Sequence, residues 1–417
     1  MADPFEQTDF SLSDMEFWEK PLPERAEAFA RLRALPEPAF FAEASYGLIP
    51  PGPGYYAFVR HADVAAASRN SSVFASTPSA ISREDLPAEF NEYFGSMINM
   101  DDPQHANIRR IVSRAFAPRV LERIRHQVEK ACRKIVDDLQ DTGPCDFVST
   151  VAAPLPLRAI CDMLGVPEQD RPTVLELTST IVGGLDPELL GEDAEEKAKR
   201  LLAAGKAMHD LAADLAAARR RFPADDLTSA LVNANVDGEA LTDQQLGAFF
   251  TLLAIAGNET TRNALSHALL LLTDNPAQRD LLCSDLDLHL PGAAEEVVRL
   301  ATPVTWMRRT LASDYRMGER EYRRGDKVLL FYWAANRDER VFDEPERFDI
   351  TRRPNHHVGY GGAGAHFCLG AQLARTEITL LMRELLSRVP DIHADGEPDR
   401  LRSSFLNGVK RLPCSFG

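Results

Sequence analysis

Ten residues near the end of the chain, Gly361-Gly362-Ala363-Gly364-Ala365-His366-Phe367-Cys368-Leu369-Gly370, set one cysteine among glycines and lead straight into the helical pattern Ala371-Gln372-Leu373-Ala374-Arg375. Backbone N–H groups in such a loop point at the sulfur, and the helix N-terminus behind it carries partial positive charge. Both favour thiolate, the metal-binding form. No second cysteine or paired histidine stands at zinc-like spacing, which argues against a tetrahedral site made by protein alone. A single thiolate beside a surface smoothed by glycine suits a planar metal macrocycle, with Cys368 as its one strong axial ligand. The competing reading is a mobile loop with an incidentally buried thiol. The spacing Gly-x-His-x-Cys-x-Gly is far more specific than a lone glycine run.

A length of 417 residues would ordinarily suggest two or three domains. Yet Pro and Gly are scattered, and there is neither a low-complexity tract nor a repeat at solenoid periods. The expectation is therefore one large helical domain over residues 1–417. A net charge of −16, from 47 basic and 63 acidic residues, argues against a nucleic-acid partner. The longest apolar stretches, such as Phe249 to Gly257, fall well short of the roughly 18 residues a membrane span needs. The opening Met1-Ala2-Asp3-Pro4-Phe5-Glu6 shows no basic or apolar export segment, so a soluble, cytoplasmic protein is expected. The other five cysteines, at 132, 145, 161, 283 and 414, are spread too widely for a disulfide framework and read as free thiols in a reducing compartment.

Along the chain, Gly54 to Arg60 reads as a strand and Ala62 to Ser68 as a helix. From Pro103 to about residue 280 the periodicity is mostly helical, broken at Gly183-Gly184, Pro187 and Asn233 to Gly238. Strand character returns between Trp306 and Phe331, with turns at Gly318-Glu319-Arg320 and Arg324-Gly325-Asp326. The segment Arg337 to Gly364, rich in Pro, Asn, Asp and Gly, is too long for an idle connection.

Three further groupings carry chemistry. Thr242-Asp243-Gln244-Gln245 is a capping-box start for a long buried helix reaching at least Leu272. In its middle stands Ala256-Gly257-Asn258-Glu259-Thr260-Thr261, polar groups that are costly inside a buried helix. One account is oxygen activation: Gly257 lets a ligand approach, a Thr hydroxyl loosens the helical ladder, Glu259 relays protons and Thr260 holds oxygen during O–O cleavage. The other is a kinked helix with a solvent-facing Glu259. Glu296 and Arg299, three apart, can bridge on one helix face. His105 and Arg109, four apart after Pro103, can share a carboxylate partner or form a basic surface turn.

In this order, from residue 102 to 370, the motifs resemble those of the cytochrome P450 family. Ala334-Ala335-Asn336-Arg337-Asp338 and Phe342-Asp343-Glu344-Pro345 match it as well. The resemblance implies a mainly α, triangular-prism fold with small β-sheets and a b-type haem (iron protoporphyrin IX) held through Cys368. It implies haem-propionate contacts from His105, Arg109, Arg308 and His366, catalytic roles for Glu259 and Thr260, and a structural role for Glu296 and Arg299. The activity implied is monooxygenation with O2 and two electrons from NAD(P)H through ferredoxin reductase and ferredoxin. The arginines at 109, 110, 114, 119, 123 and 125 would offer an acidic ferredoxin a local basic face.

One position departs from the family pattern: the usual Phe seven residues before the cysteine is Gly361, with Tyr360 just before it. That wording, with Ala256 to Asn263 and Ser403 to Gly408, resembles an actinobacterial subset that hydroxylates sterol side chains and methyl-branched lipids. The stretches Phe94–Met100, Leu177–Leu185, Phe249–Ala256, Pro303–Met307 and Phe405–Leu406 are expected to line a mostly apolar pocket for a hydrophobic substrate. A terpenoid or other secondary metabolite is the alternative substrate class. A peroxygenase or a haem sensor on the same scaffold would not need the Glu259-Thr260 pair.

Overall fold

The protein was analysed as a computed structural model that describes residues 8–44, 50–116, 118–183, 186–191, 193–233, 235–236 and 239–417. The N-terminal start read above, Gly184, Leu185 and part of the turn after Asn233 lie outside the described residues. So do the side chains of Arg114, Arg119 and Arg123.

The long helix runs unbroken over Asp243–Asp274. Its start follows from the capping box: Thr242 Oγ1 accepts the Gln245 N–H at 3.1 Å, and Gln245 Oε1 accepts the Thr242 N–H at 3.0 Å. Leu246, Phe249, Phe250, Ala254, Leu265 and Leu272 are buried around more than one face. A helix apolar on several sides belongs in the interior. It packs there against the helices Pro154–Leu164, Ala194–Arg221 and Leu286–Ala301. The Cys368 loop delivers its last glycine to the helix Ala371–Arg388, which packs on Leu286–Ala301 and Pro118–Thr142.

The largest sheet has five strands in the order Phe40–Phe41, Tyr55–Phe58, Lys327–Phe331, Trp306–Leu311, Phe74–Ala75. The expected strand at 54–60 is Tyr55–Phe58, followed by the helix His61–Arg69. Lys327–Phe331 is buried on both faces, as a strand between two neighbours should be. Gly318 and Gly325 adopt φ of +61° and +92°, the left-handed turn conformation that glycine takes without strain. A smaller sheet joins His393–Ala394, Pro413–Ser415 and Cys145–Asp146. Among the described residues, no helix is long and apolar enough to cross a membrane.

Residues 337–364 form neither helix nor strand. Irregular backbone in a protein interior still has to satisfy its polar groups, and one buried pair does much of this. Arg299 makes a two-pronged ion pair with Glu296, at 2.8 Å and 2.7 Å. Its remaining N–H groups reach the carbonyls of Asn336 at 2.8 Å, Pro345 at 2.6 Å and Arg347 at 3.1 Å. Glu296 in turn accepts from Arg352, Asn355 and the Asp349 N–H at 3.1, 3.0 and 3.0 Å. The segment that leads to the cysteine loop is thus clamped to the helix Leu286–Ala301.

Candidate active site

Cys368 faces a cavity with about 1450 Å³ free of protein atoms, mouth included. The loop is held by the Cys368 N–H donating to the Tyr360 carbonyl at 3.0 Å and the Gly361 N–H to Val358 at 2.9 Å. Gly361 has φ +91°, and a Cβ there would meet no other atom closer than 3.8 Å. Backbone conformation, not crowding, therefore calls for glycine at this position. The aromatic beside the thiol is Tyr360, which lines the cavity and lies 4.4 Å from the Arg375 guanidinium. Arg375 is itself paired with Glu295 at 2.5 Å.

Burial pushes the Cys368 thiol up, against the pull of the Gly370 and Ala371 N–H groups and of Arg109 and Arg375. The donors expected at the helix start are present, and the sulfur itself opens onto the cavity. A bound metal removes that proton outright.

Around the loop stands a cluster of cationic and imidazole groups. Arg109 lines the cavity and donates to the Phe367 carbonyl at 2.7 Å. His366 lines it too, with Nε2 at 3.0 Å from Ser76 Oγ, and burial with nearby Arg309 drives its pKa down to about 3. His105 stacks on His366 at 4.1 Å between ring centroids, and its buried Nε2 has no partner.

Arg308 does not join them. It lies on the opposite face of the strand Trp306–Leu311, where Asp85 neutralises it at 2.6 Å and the Ser82, Arg83 and Glu84 carbonyls accept its N–H groups. The cavity-lining arginine is its neighbour Arg309, together with Met307, as strand alternation requires. Arg309 is only 4% exposed, and its one described hydrogen bond goes to the Arg308 carbonyl at 2.7 Å. A buried guanidinium without a carboxylate is costly unless a ligand supplies the anion. The expected contact at position 308 is therefore corrected to 309. Arg309→Leu is expected to weaken haem retention about 10-fold or more, from loss of charge-assisted hydrogen bonds. Arg308→Leu should lower thermal stability and leave the haem-to-protein absorbance ratio unchanged. Full haem content in Arg309→Leu would refute the correction.

The long helix presents Ala256, Gly257, Thr260 and Thr261 to the cavity. Thr260 Oγ1 donates to the Ala256 carbonyl at 2.7 Å, the back-bond that competes with the helical ladder. A Cβ on Gly257 would sit 3.0 Å from Ile160 Cδ1, so this glycine also admits the neighbouring helix. Glu259 is buried and does not line the cavity. It pairs with Arg262, accepts from Asn258 at 3.3 Å, and is raised by burial.

A second carboxyl does reach the cavity. Glu377, on the helix Ala371–Arg388, is buried, bonds Thr261, and is pushed up to about 8 by desolvation. It is the acid that sequence reasoning passed over. Its signal was there: Glu377 interrupts the buried stripe of Leu373 and Leu381 at four-residue spacing.

These residues fit a haem. One thiol, a glycine-lined cradle at Gly359, Gly361 and Gly370 and a carboxylate-seeking Arg309 meet at one cavity, with His105 packed behind the cavity-lining His366. Much of the remaining wall is apolar, including Met97, Ile98, Phe249, Leu252, Val304 and Met307. Of the expected pocket stretches, the described part of Leu177–Leu185 and Phe405–Leu406 do not line it, although Leu406 bridges Val304.

Comparison with known proteins matches a family model described as Cytochrome P450 over residues 193–407. A methyl-branched lipid omega-hydroxylase of Mycobacterium tuberculosis is 44% identical over 98% of this chain and 95% of its own. A steroid C26-monooxygenase of Rhodococcus jostii is 40% identical over 87% and 76%. A Mycobacterium marinum cytochrome P450 solved with pseudoionone superposes with TM-score 0.94 at 42% identity, over 100% of both chains.

Proposed function

The chain belongs to the cytochrome P450 family and has its fold, and on that premise we propose that this monooxygenase hydroxylates a methyl-branched lipid chain. The single observation carrying the substrate class is the apolar wall opposite Cys368, joined to 44% identity with a methyl-branched lipid hydroxylase over 98% of the chain. The relation to a steroid C26-monooxygenase at 40% identity favours a sterol side chain as the second reading. The extent of these matches supports treating residues 1–417 as one haem domain.

Haem held through Cys368 supplies O2 reduction and hydroxyl transfer to a C–H bond. The protein's share is binding, orientation and proton handling. Cys368 would hold the iron through its thiolate, with the Gly370 and Ala371 N–H groups donating to its sulfur. Arg109, Arg309 and His366 on the cavity wall, with His105 against His366, would hold the propionates. Thr260 and Thr261 place hydroxyls on the cavity wall, and Glu377 keeps a proton on its carboxyl at neutral pH for Thr261 to receive. Glu259 feeds protons to this side from the buried pair with Arg262. Electrons come from NAD(P)H through ferredoxin reductase and an acidic ferredoxin. The basic helix Gln104–Val112 touches the thiolate loop through Arg109, and Phe367 beside it is 39% exposed, which supports docking there.

The test is a spectral titration of the holoenzyme with a methyl-branched fatty acid, its straight-chain counterpart and a sterol. The branched acid should give the strongest low-to-high-spin shift and a hydroxylated product. A shift with the sterol alone selects the second reading, and none with any of the three overturns both. In the same assay Thr260→Ala should divert NAD(P)H consumption from product to peroxide. Coupling equal to wild type would remove Thr260 from oxygen handling.

A further inference from the structure

Far from Cys368 in sequence, the small sheet sets two other cysteines directly across from each other. Cys145 pairs with Cys414 in the antiparallel ladder between Cys145–Asp146 and Pro413–Ser415. Their sulfurs stand 3.7 Å apart, in contact without a bond. Antiparallel partners hold their Cα atoms about 4.5–5.5 Å apart, inside the roughly 4.4–6.8 Å that a disulfide spans. Only the side chains have to turn for the sulfurs to close to about 2.05 Å.

We propose that Cys145 and Cys414 are a peroxide-sensitive pair that closes into a reversible cross-strand disulfide. Cys145 is half-buried and Cys414 buried, so the two have different access to solvent. Hydrogen peroxide, the oxidant, meets Cys145 first. The Cys145 sulfur attacks one peroxide oxygen, the O–O bond breaks, and Cys145 becomes a sulfenic acid while water leaves. The Cys414 sulfur then attacks that sulfur and gives up its proton. The S–S bond forms and a second water departs, so two thiols and one peroxide yield one disulfide and two waters.

Cys414 makes a good second partner and a poor first one. Burial pushes its thiol up to about 12, and the neighbouring Cys145 adds to this by like-charge repulsion. Conversion of Cys145 to an uncharged sulfenic acid removes that second contribution. Exposed Cys283 has no cysteine cross-strand partner, so oxidation there has no disulfide to end in within the described ladders.

The bond would join residues 269 apart, tying the C-terminal strand to the strand that precedes the helix Pro154–Leu164. A crosslink over so long a loop chiefly restricts the unfolded chain. Its closure should therefore raise the melting temperature, and a dithiol should reverse the rise.

The test treats the holoenzyme with stoichiometric hydrogen peroxide, then denatures it in an alkylating agent. Wild type has six cysteines and is expected to fall to four alkylated thiols, six less the two joined. A tryptic peptide linking Cys145 to Cys414 should appear, together with a dithiol-reversible rise in melting temperature. Cys145→Ser carries five thiols, six less one, and should keep all five, whereas Cys414→Ser should halt at a Cys145 sulfenic acid and lose that one thiol without a linked peptide; neither should move in melting temperature. Six thiols remaining in oxidised wild type overturns the proposal. So does a loss of wild-type thiols without the linked peptide, or an equal loss in either serine variant. Because the linked peptide is read in wild type, the result stands even where a serine variant folds poorly.

Discussion

Arg299→Leu is expected to destabilise the protein by about 3–5 kcal/mol, the range seen when one partner of a fully buried ion pair is removed. Arg299 and Glu296 are both 0% exposed, so the surviving carboxylate has no water to turn to. It would keep Arg352 and Asn355, while the carbonyls of Asn336, Pro345 and Arg347 would each lose a donor. Arg299→Lys should recover only part of this, because an ammonium cannot reproduce a planar two-pronged contact. The measurement is the urea-unfolding free energy of the holoenzyme. Arg316→Ala serves as the contrast. Its pair with Glu319 is 61% and 88% exposed, and an exposed pair contributes at most about 1 kcal/mol. A loss below about 1 kcal/mol for Arg299→Leu would show that the segment after Ala335 is held by something else.

Glu377→Gln is expected to change the pH dependence of stability. The Glu377 carboxyl is raised from 4.5 to about 8 in the folded protein. Between those values the unfolded chain releases a proton that the native protein keeps. Wild-type stability is therefore penalised as pH rises above about 4.5, and the penalty levels off above about 8. A tenfold difference in proton affinity between the folded and unfolded chain is worth about 1.4 kcal/mol. Between about pH 5 and 8, wild type should accordingly lose about 3 kcal/mol relative to Glu377→Gln. The glutamine fills the same space and has no proton to lose. Urea midpoints of both proteins across that range give the difference directly. Parallel curves would mean that Glu377 ionises in the folded protein as it does in the unfolded one.

What the sequence made legible were features written within a few residues of one another. The capping box at Thr242 and Gln245 fixes the start of the central helix through two local hydrogen bonds. The glycines around Cys368 announce a loop whose conformation other residues adopt at a cost, as the +91° φ of Gly361 shows. Arg308 and Arg309 were separable only by knowing which face of their strand meets the cavity. That phase is set by pairing with Lys327–Phe331, about 20 residues later, and two adjacent arginines hide it. Glu377 was easily passed over because one carboxylate in a helix is ordinarily a solvated residue, and only its place in the stripe of Leu373 and Leu381 marked it. Its burial follows from packing against the central helix and the cavity. The contact between Cys145 and Cys414 belongs to a ladder between distant strands, and no local pattern records such a pairing.

Arg299 grips the irregular segment and its entrance by main-chain carbonyls at three points, and its guanidinium also lies 5.1 Å from the Phe342 ring centroid. Every amino acid offers the same carbonyl, so the side chains at 336, 345 and 347 contribute nothing to being gripped. Substitutions at 345 and 347 can accumulate without loosening that hold, provided the backbone path is kept and Arg352 and Asn355 still reach Glu296. The path to the thiolate can thus stay fixed while part of the wording that spells it drifts, and the demand falls on Glu296, Arg299 and the few side chains that answer them.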